Sequence, residues 1–480
     1  MSPPSLGANA PEAARALYRD LLLKVAYVAV GELKQYERHA RTHDDRQIEQ
    51  IKSSIAAFGF VSPLIVDQND VLIAGHARLL AAEALGFERV PVLRLDHLSE
   101  ADAAALRIAD NRLAELAGWD KSILAIEFSH LAHLDCTLDL AFDLSITGFA
   151  LPEIDQIIQQ ANAGDNENED EAAQVHSGAP AVSRLGDVWI LGEHRILCGD
   201  SCSEASYRRL MLDERAAAGF HDGPYNVSIQ RHVSRSGKHA EFVMGVGEMS
   251  AEEFTAFNAR WLSHAAASSA PGAIQFTCMD FRHMREMLDA GRAAKLDLLN
   301  LAVWNKGAGA MGSLYRSQHE LVFVWKEPSV KHTNNVQLGK FGRNRTNVWD
   351  YPGATALRRE LELHPTPKPV ALVADALRDV THRGDVVLDC FSGSGTTVLA
   401  AAKTGRRARV IELDPGYVDV AVRRWEAWSG ESARHAESGL SFADTAAERS
   451  VAAEPASTET APPQPPAPTV RVRRRAPAKS

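Results

Sequence analysis

Val386-Val387-Leu388-Asp389 is an apolar run ending in a carboxylate, and Cys390-Phe391-Ser392-Gly393-Ser394-Gly395-Thr396-Thr397 follows it. The pattern predicts a strand, then a turn, then a helix through Val398 to Thr404. Glycines between a strand end and a helix start permit a tight turn and let a ligand approach the backbone. The next predicted strand, Ala408 to Ile411, ends at Glu412, where an acid accepts hydrogen bonds from ribose hydroxyls. Three ligands compete for such a turn. A phosphate-binding P-loop needs Gly-Lys-Ser/Thr, and this turn has Gly-Thr-Thr. A dinucleotide fold asks for a third glycine, near where Val398 stands. S-adenosylmethionine carries a ribose and an adenine but no phosphate, and tolerates both absences. A chance Gly-x-Gly turn is the plain alternative, which the flanking strands and Glu412 disfavour.

Ala216 to His221 reads as a strand, and it runs into Asp222-Gly223-Pro224-Tyr225. Alone that tetrapeptide is a surface β-turn, because Asp, Gly and Pro all form turns. In company it resembles the Asp-Pro-Pro-Tyr motif of amino-group DNA methyltransferases. Leu388 to Thr397 resembles their glycine-rich cofactor motif, and His364-Pro365-Thr366-Pro367-Lys368-Pro369 is similar to their His-Pro-Thr-x-Lys-Pro segment. The order of the three resembles the β class of N6-adenine and N4-cytosine enzymes. The match runs from about Leu185 to Trp425, roughly half the chain, and three motifs in order are more specific than any one.

The resemblance implies a reaction. An exocyclic amine is a poor nucleophile because its lone pair is delocalised into the ring. Hydrogen bonds from its N–H groups to Asp222 and the Gly223 carbonyl favour a pyramidal nitrogen, poised for in-line methyl transfer. The base must leave the duplex, and Tyr225, beside Pro224, offers a ring on which to stack. Asp222 leans toward adenine, since N4-cytosine enzymes more often carry serine there. The implied cofactor-binding residues are Asp200, Thr366, Lys368, Asp389, Phe391, Ser392, Gly393, Gly395, Thr396, Thr397 and Glu412, with Thr366 and Lys368 at the methionine end. Asp389 is expected at the cofactor amino group, and Asp414 as the cap of a helix opening at Pro415. Two departures stand out: Gly223 where the family has proline, and Cys390 where proline is frequent. The rival function is a DNA-binding or nucleotide-switched module silenced by the change at Gly223.

Double-stranded DNA is the expected partner. Arg231, Arg235 and Lys238 lie in a stretch free of acids from Ser228 to Ala240, and Lys340, Arg343 and Arg345 add cations beside Asn334, Asn335 and Asn347. Guanidinium, ammonium and amide groups suit phosphates and base edges. A solvated loop is the competing account. From Leu33 to Asp120 the chain resembles the ParB/sulfiredoxin-like N-terminal fold, through Gly59-Phe60-Val61-Ser62-Pro63, Ile73-Ala74-Gly75-His76-Ala77-Arg78 and Asp110-Asn111-Arg112. In ParB proteins the Gly-x-x-Arg segment helps hold CTP. Gly75 and Arg78 fit, but the ParB segment is richer in arginine, so a structural or DNA-docking module is preferred over a nucleotide site. A homodimer and a restriction partner are compatible with the pattern.

Behind these residues the expected fold is α/β: a Rossmann-like S-adenosylmethionine-dependent methyltransferase domain, preceded by a smaller α/β ParB-like domain. In that domain Ile48, Ile51 and Ile55 have helical spacing with Gly59 just beyond, followed by strands at Leu64–Val66, Val71–Ile73 and Val90–Leu93. The expected boundaries are a ParB-like domain over 25–120, a helical extension packed on it over 121–160, and an acidic linker over 161–183. A methyltransferase domain over 184–430 and a disordered tail over 431–480, Pro-rich and ending in Arg471 to Lys479, complete the order. The 480 residues carry a net charge of −10, against a chain that coats nucleic acid through bulk charge. Five scattered cysteines do not make a disulfide framework, and no apolar run is long enough to span a bilayer. A cytoplasmic, nucleoid-associated protein is expected, with no membrane partner and no metal.

Overall fold

The computed structural model describes residues 23–37, 42–138, 144–161, 181–226, 248–307, 314–336, 344–352 and 368–451. Within 23–95 four strands, β1 (Val25–Ala29), β2 (Leu64–Asp67), β3 (Leu72–Ala74) and β4 (Arg89–Leu95), form a sheet in the order β1-β4-β2-β3. The helix Asp45–Phe58 buries Ile55 and begins where Asp44 accepts from Gln47 N–H at 2.7 Å. It ends at Gly59, whose N–H donates to Ile55 and whose φ of 80° suits glycine. Leu64, Val66, Leu72, Leu79, Val90 and Val92 close a small core beneath it.

The helices Lys121–Leu138 and Leu151–Ala161 have a core of their own, built on Phe128, Ile154 and Ile158. They touch two neighbours rather than the one expected. One side touches that domain through Gln50, which donates to the Gly148 carbonyl. The other side reaches the large domain: Asp155 receives Arg406 at 2.7 Å and Arg383 at 3.1 Å. Helices were expected here, but an ion pair 251 residues apart leaves no local trace.

The large domain is a ten-stranded sheet. Its strands are β5 (Val188–Leu191), β6 (His194–Cys198), β7 (Ala216–His221), β8 (Ser269–Met279), β9 (Asp297–Asn305), β10 (His319–Lys326), β11 (Val348–Asp350), β12 (Val386–Asp389), β13 (Arg407–Glu412) and β14 (Arg434–His435). The order is β11-β9-β10-β8-β7-β12-β13-β6-β5-β14. Its middle, β8-β7-β12-β13-β6, is wholly parallel. Helices cover both faces, which is why β12 reads as an unbroken apolar run and is buried throughout. Parallel strands put their C-terminal ends on one edge, so Asp222, Asp389 and Glu412 emerge side by side.

Three predicted segments match closely: β7 and β12 have the expected limits, and β13 overlaps Ala408 to Ile411. Asp414 caps the helix Pro415–Ser429, accepting from Gly416 N–H at 2.7 Å. The tail departs from expectation. Residues 431–451 are folded: β14 extends the sheet, the helix Phe442–Val451 buries Phe442, and His435 and Arg449 both hold Asp187. Polar composition hid a buried aromatic anchor there. Residues 452–480 lie outside the described residues, as do 162–180 of the acidic linker. Val182 and Ser183, at the end of that linker, belong to the large domain, where their N–H groups donate to Asp419. No described helix is long and apolar enough to cross a membrane.

Candidate active site

The glycine turn is built by the carboxylate that precedes it. Asp389 accepts from Phe391 N–H at 2.9 Å and from the Thr397 hydroxyl at 2.6 Å. Both oxygens thus tie the strand end to the first turn of the helix Thr396–Thr404. Asp389 shapes the loop rather than pointing only at a ligand. Gly395 has φ 84°, and a Cβ there would lie 2.8 Å from the Ala421 side chain, so glycine serves both conformation and close packing. Glu412 accepts from Gly393 N–H at 2.7 Å and from Asp414 N–H at 2.9 Å. A carboxylate has about four lone-pair sites, so Glu412 keeps acceptor capacity beyond these bonds. Burial pushes Asp389 and Glu412 up to about 7, against the hydrogen bonds that favour their charged forms.

Asp200 joins this edge. Its carboxylate holds the turn by accepting from Cys202 N–H, and the neighbouring Gly199 N–H donates to the Glu412 carbonyl at 2.8 Å. Ser392 Oγ is buried with no hydrogen-bond partner among the described residues. Thr396 and Thr397 are buried in the helix start. Phe391 lies edge-on to Trp261, 5.1 Å between ring centres, and its ring approaches Gly223, where an added Cβ would be 3.1 Å from Phe391 Cε2. The glycine turn and the Asp222 turn are therefore in van der Waals contact.

Asp222 sits in a charged cluster. Tyr225 Oη donates to Asp222 Oδ1 at 2.8 Å, and Lys368 Nζ donates to Oδ2 at 2.6 Å. Glu320 lies 3.0 Å from the same hydroxyl and 3.1 Å from the same ammonium, and its other oxygen pairs with Lys306. Two carboxylates and two ammoniums balance. Burial opposes charge on Glu320, yet Lys368 and then Lys306 hold its carboxyl down at about 2. Burial likewise disfavours the Lys368 ammonium, but Asp222 and Glu320 keep it well above the usual lysine range. Lys368 was expected at the methionine end of a cofactor; it stands instead on the Asp222 carboxylate. Thr366 lies outside the described residues. Asn226, at φ 53°, closes the motif by exchanging side-chain hydrogen bonds with the Met249 backbone.

Two functional residues escaped the sequence. Glu320 is the second residue of the apolar strand β10, and a carboxylate heading a buried run was the available signal. His221, immediately before Asp222, is fully buried. Its Nδ1 accepts from Cys390 N–H at 3.2 Å and its Nε2 faces Gln275 Oε1 at 2.8 Å, so it fastens the Asp222 turn to the glycine turn. Burial lowers it to about 4, and it stays neutral.

The expected DNA contacts fare unevenly. Arg231, Arg235, Lys238, Lys340 and Arg343 lie outside the described residues. Arg345 is corrected. Its guanidinium is held by Asp379 at 2.7 Å, Asp375 at 3.5 Å and the Tyr351 hydroxyl at 2.8 Å, so it braces the helix Val370–Val380. Asn335 is also structural, donating to the carbonyls of Arg378 and Thr381.

Comparison with known proteins agrees with this layout. Residues 218–423 match the DNA methylase family model, 122–185 the ParB-methyltransferase HTH domain, and 22–112 the ParB N-terminal domain. The Type II methyltransferase M.ScaI of Streptomyces caespitosus is 34% identical over 154 residues, 27% of this chain and 51% of that protein. DNA adenine methyltransferase YhdJ of Escherichia coli is 41% identical over 117 residues, 24% of this chain and 37% of that one. The ParB-like nuclease domain-containing protein YnaK of Escherichia coli is 41% identical over 78 residues, 16% of this chain and 90% of that protein. The chain thus spans about half or less of the length of these two methyltransferases. With the Asp222 turn and the glycine turn on one sheet edge, the chain carries a DNA methylase domain of the N6/N4 type, preceded by a ParB N-terminal domain and a ParB-methyltransferase HTH domain.

Proposed function

We propose that this protein methylates DNA at an exocyclic amine, with N6 of adenine as the target and S-adenosylmethionine as the methyl donor. The observation that carries this reading is the contact between the Asp222 turn and the glycine turn through Gly223 and Phe391. It supports reading Asp222 as an amine-binding carboxylate beside the edge that takes the cofactor. The residues fit the cofactor: Glu412 retains acceptor sites for ribose hydroxyls, Ser392 Oγ is a buried hydroxyl awaiting a polar partner, and Phe391 offers an apolar face. When bound, the cofactor supplies an electrophilic methyl on a sulfonium.

The chain's own residues do the rest. Asp222 accepts one amine N–H and the Gly223 carbonyl the other, turning the nitrogen lone pair out of conjugation. Tyr225 contributes its ring as a stacking surface for the flipped base. Lys368 holds the Asp222 carboxylate in place through its 2.6 Å ion pair. N4 of cytosine presents the same donor pair; the carboxylate at Asp222 favours adenine. The chemistry places the protein with cellular DNA. Genomic DNA from cells with and without the expressed protein, sequenced with detection of modified bases, tests the reading. N6-methyladenine at one short motif, lost with Asp222→Ala, is the expected result; N4-methylcytosine would reassign the base, and unmodified DNA would remove the reading.

A second reading concerns the first domain. A cavity of about 380 Å³ lies between Gly75, Arg78, Ser62, His43 and Asn111. Gly75 caps a helix at φ 99°, and Arg78 packs over it while donating to the Ser62 carbonyl at 3.0 Å. A helix start, a glycine and a guanidinium suit a nucleoside triphosphate. CTP is expected to raise the melting temperature of the protein, and Arg78→Ala to abolish the rise. No shift at millimolar CTP would discard it.

A further inference from the structure

In the geometry described, Asp222 has no empty oxygen facing its cluster: Oδ1 holds the Tyr225 hydroxyl and Oδ2 the Lys368 ammonium. Each oxygen keeps a second lone pair, but an amine accepted there would share an oxygen whose charge a protein donor already draws on. Displacing Lys368, whose side chain is 4% exposed, would take a counter-ion from a buried ammonium, which is expensive. The Tyr225 hydroxyl offers an easier exchange. A phenol has a single proton and donates to one acceptor at a time, yet two carboxylate oxygens lie within reach, Asp222 Oδ1 at 2.8 Å and Glu320 Oε2 at 3.0 Å. Rotation about the phenol C–O bond moves the proton between them without displacing a heavy atom.

We propose that Glu320 is a positioning residue for methyl transfer, taking over the Tyr225 hydroxyl hydrogen bond so that Asp222 Oδ1 opens to the target amine while Lys368 stays on Oδ2. This rests on the amino-methyltransferase reading. Lys306 supports the exchange by anchoring Glu320 through Oε1, which keeps Oε2 directed at Tyr225 and Lys368. The phenol stays protonated throughout, since burial and both carboxylates hold it well above its ordinary range.

The test is a double-mutant cycle on the full chain: wild type, Glu320→Gln, Tyr225→Phe and the pair. Single-turnover methylation is measured at saturating DNA, and cofactor affinity by calorimetry. Glu320→Gln should slow methylation about tenfold or more, the scale of a hydrogen bond to a charged group, with cofactor affinity within about twofold. Tyr225→Phe keeps the stacking ring and removes the competing hydroxyl. In that background the Glu320 substitution should cost under about threefold, because Asp222 Oδ1 is already open. Equal losses in both backgrounds, or none in either, would overturn the proposal. If Glu320→Gln fails to fold, Glu320→Asp keeps the pair with Lys306 while withdrawing the acceptor from Tyr225, and must show the same non-additivity. A wild type that binds cofactor but methylates no DNA would instead overturn the functional reading and this one with it.

Discussion

Asp155 and Arg406 form a buried ion pair across 251 residues of chain, Oδ2 to Nη2 at 2.7 Å, and join the HTH helices to the methylase domain. Arg406 is 1% exposed and donates also to the carbonyls of Thr404 and Thr381. Burial alone would raise the Asp155 carboxyl, but Arg406 and then Arg383 hold it below the usual range. The first 160 residues are therefore not a detachable accessory. They supply the counter-ion for a guanidinium in the methylase domain.

Removing Asp155 should destabilise the protein by about 3–5 kcal/mol, since it strands a buried charge. Asp155→Ala, or deletion of residues 1–160, is expected to lower the denaturant midpoint, and Arg406→Met in the same background to restore part of it. An unchanged midpoint for the deletion would show that the two parts are energetically independent.

Asp222→Asn should reduce methyl transfer about a hundredfold or more, the scale of losing one preorganised charge-stabilising contact. Cofactor affinity should hardly change, because Asp222 meets Lys368 and Tyr225 and no part of the glycine turn's hydrogen bonding. Activity within a few-fold of wild type would remove Asp222 from the reaction.

Glu412 makes cofactor binding pH-dependent. With its carboxyl at about 7 in the free protein, binding hydroxyl donors favours the ionised form and releases protons. Affinity should therefore rise from pH 6 to pH 8, and Glu412→Gln should flatten that rise and weaken binding by about 1–3 kcal/mol. The stability of the free protein runs the other way. A carboxyl raised on folding stabilises below its unfolded pKa, and the contribution fades as pH climbs through about 7; Asp389 adds to the same window. His221, lowered to about 4, acts in the opposite sense: it is neutral in the folded protein, so its contribution to stability grows as pH rises toward the ordinary imidazole value of 6.5 and is level above it. Calorimetry in buffers of different ionisation enthalpy counts the released protons; none released at pH 7 would contradict the assignment.

The strands that frame the site were legible because apolar runs between turn formers are local signals: β7, β12 and β13 all end in the carboxylates or turns that matter. The Asp389 and Glu412 positions followed from strand ends alone. What stayed hidden was pairing at a distance. Lys368 lies 146 residues from Asp222, and Glu320 lies 95 residues from Tyr225, so no spacing rule links them. Arg345 misled for the same reason. A run of cations without nearby acids looks free for phosphate until the fold brings Asp375 and Asp379 against it. The folded segment 431–451 was masked by polar composition, although Phe442 and His435 both pack edge-on to Trp189.

Gly223 separates two effects that proline would bring together. Its φ lies outside the left-handed region, so the backbone itself accepts other residues, but a Cβ would meet the Phe391 ring at 3.1 Å and the ring would have to give by a few tenths of an ångström. Gly223→Ala adds the contact with little stiffening, whereas Gly223→Pro adds the contact and locks φ. Both should weaken cofactor binding slightly by shifting Phe391, which packs against Trp261. In methyl transfer Gly223→Pro should outpace Gly223→Ala by up to about fivefold, because a stiffer loop holds the carbonyl acceptor in place, an effect of about 1 kcal/mol at most. Single-turnover rates of the two variants on DNA carrying the recognition motif decide it. If the proline variant is folded and slower than the alanine variant, the Asp222 backbone is in a conformation that a following proline forbids. Presentation of the amine to Asp222 and the Gly223 carbonyl would then have to use a turn geometry other than that of the Asp-Pro-Pro-Tyr motif.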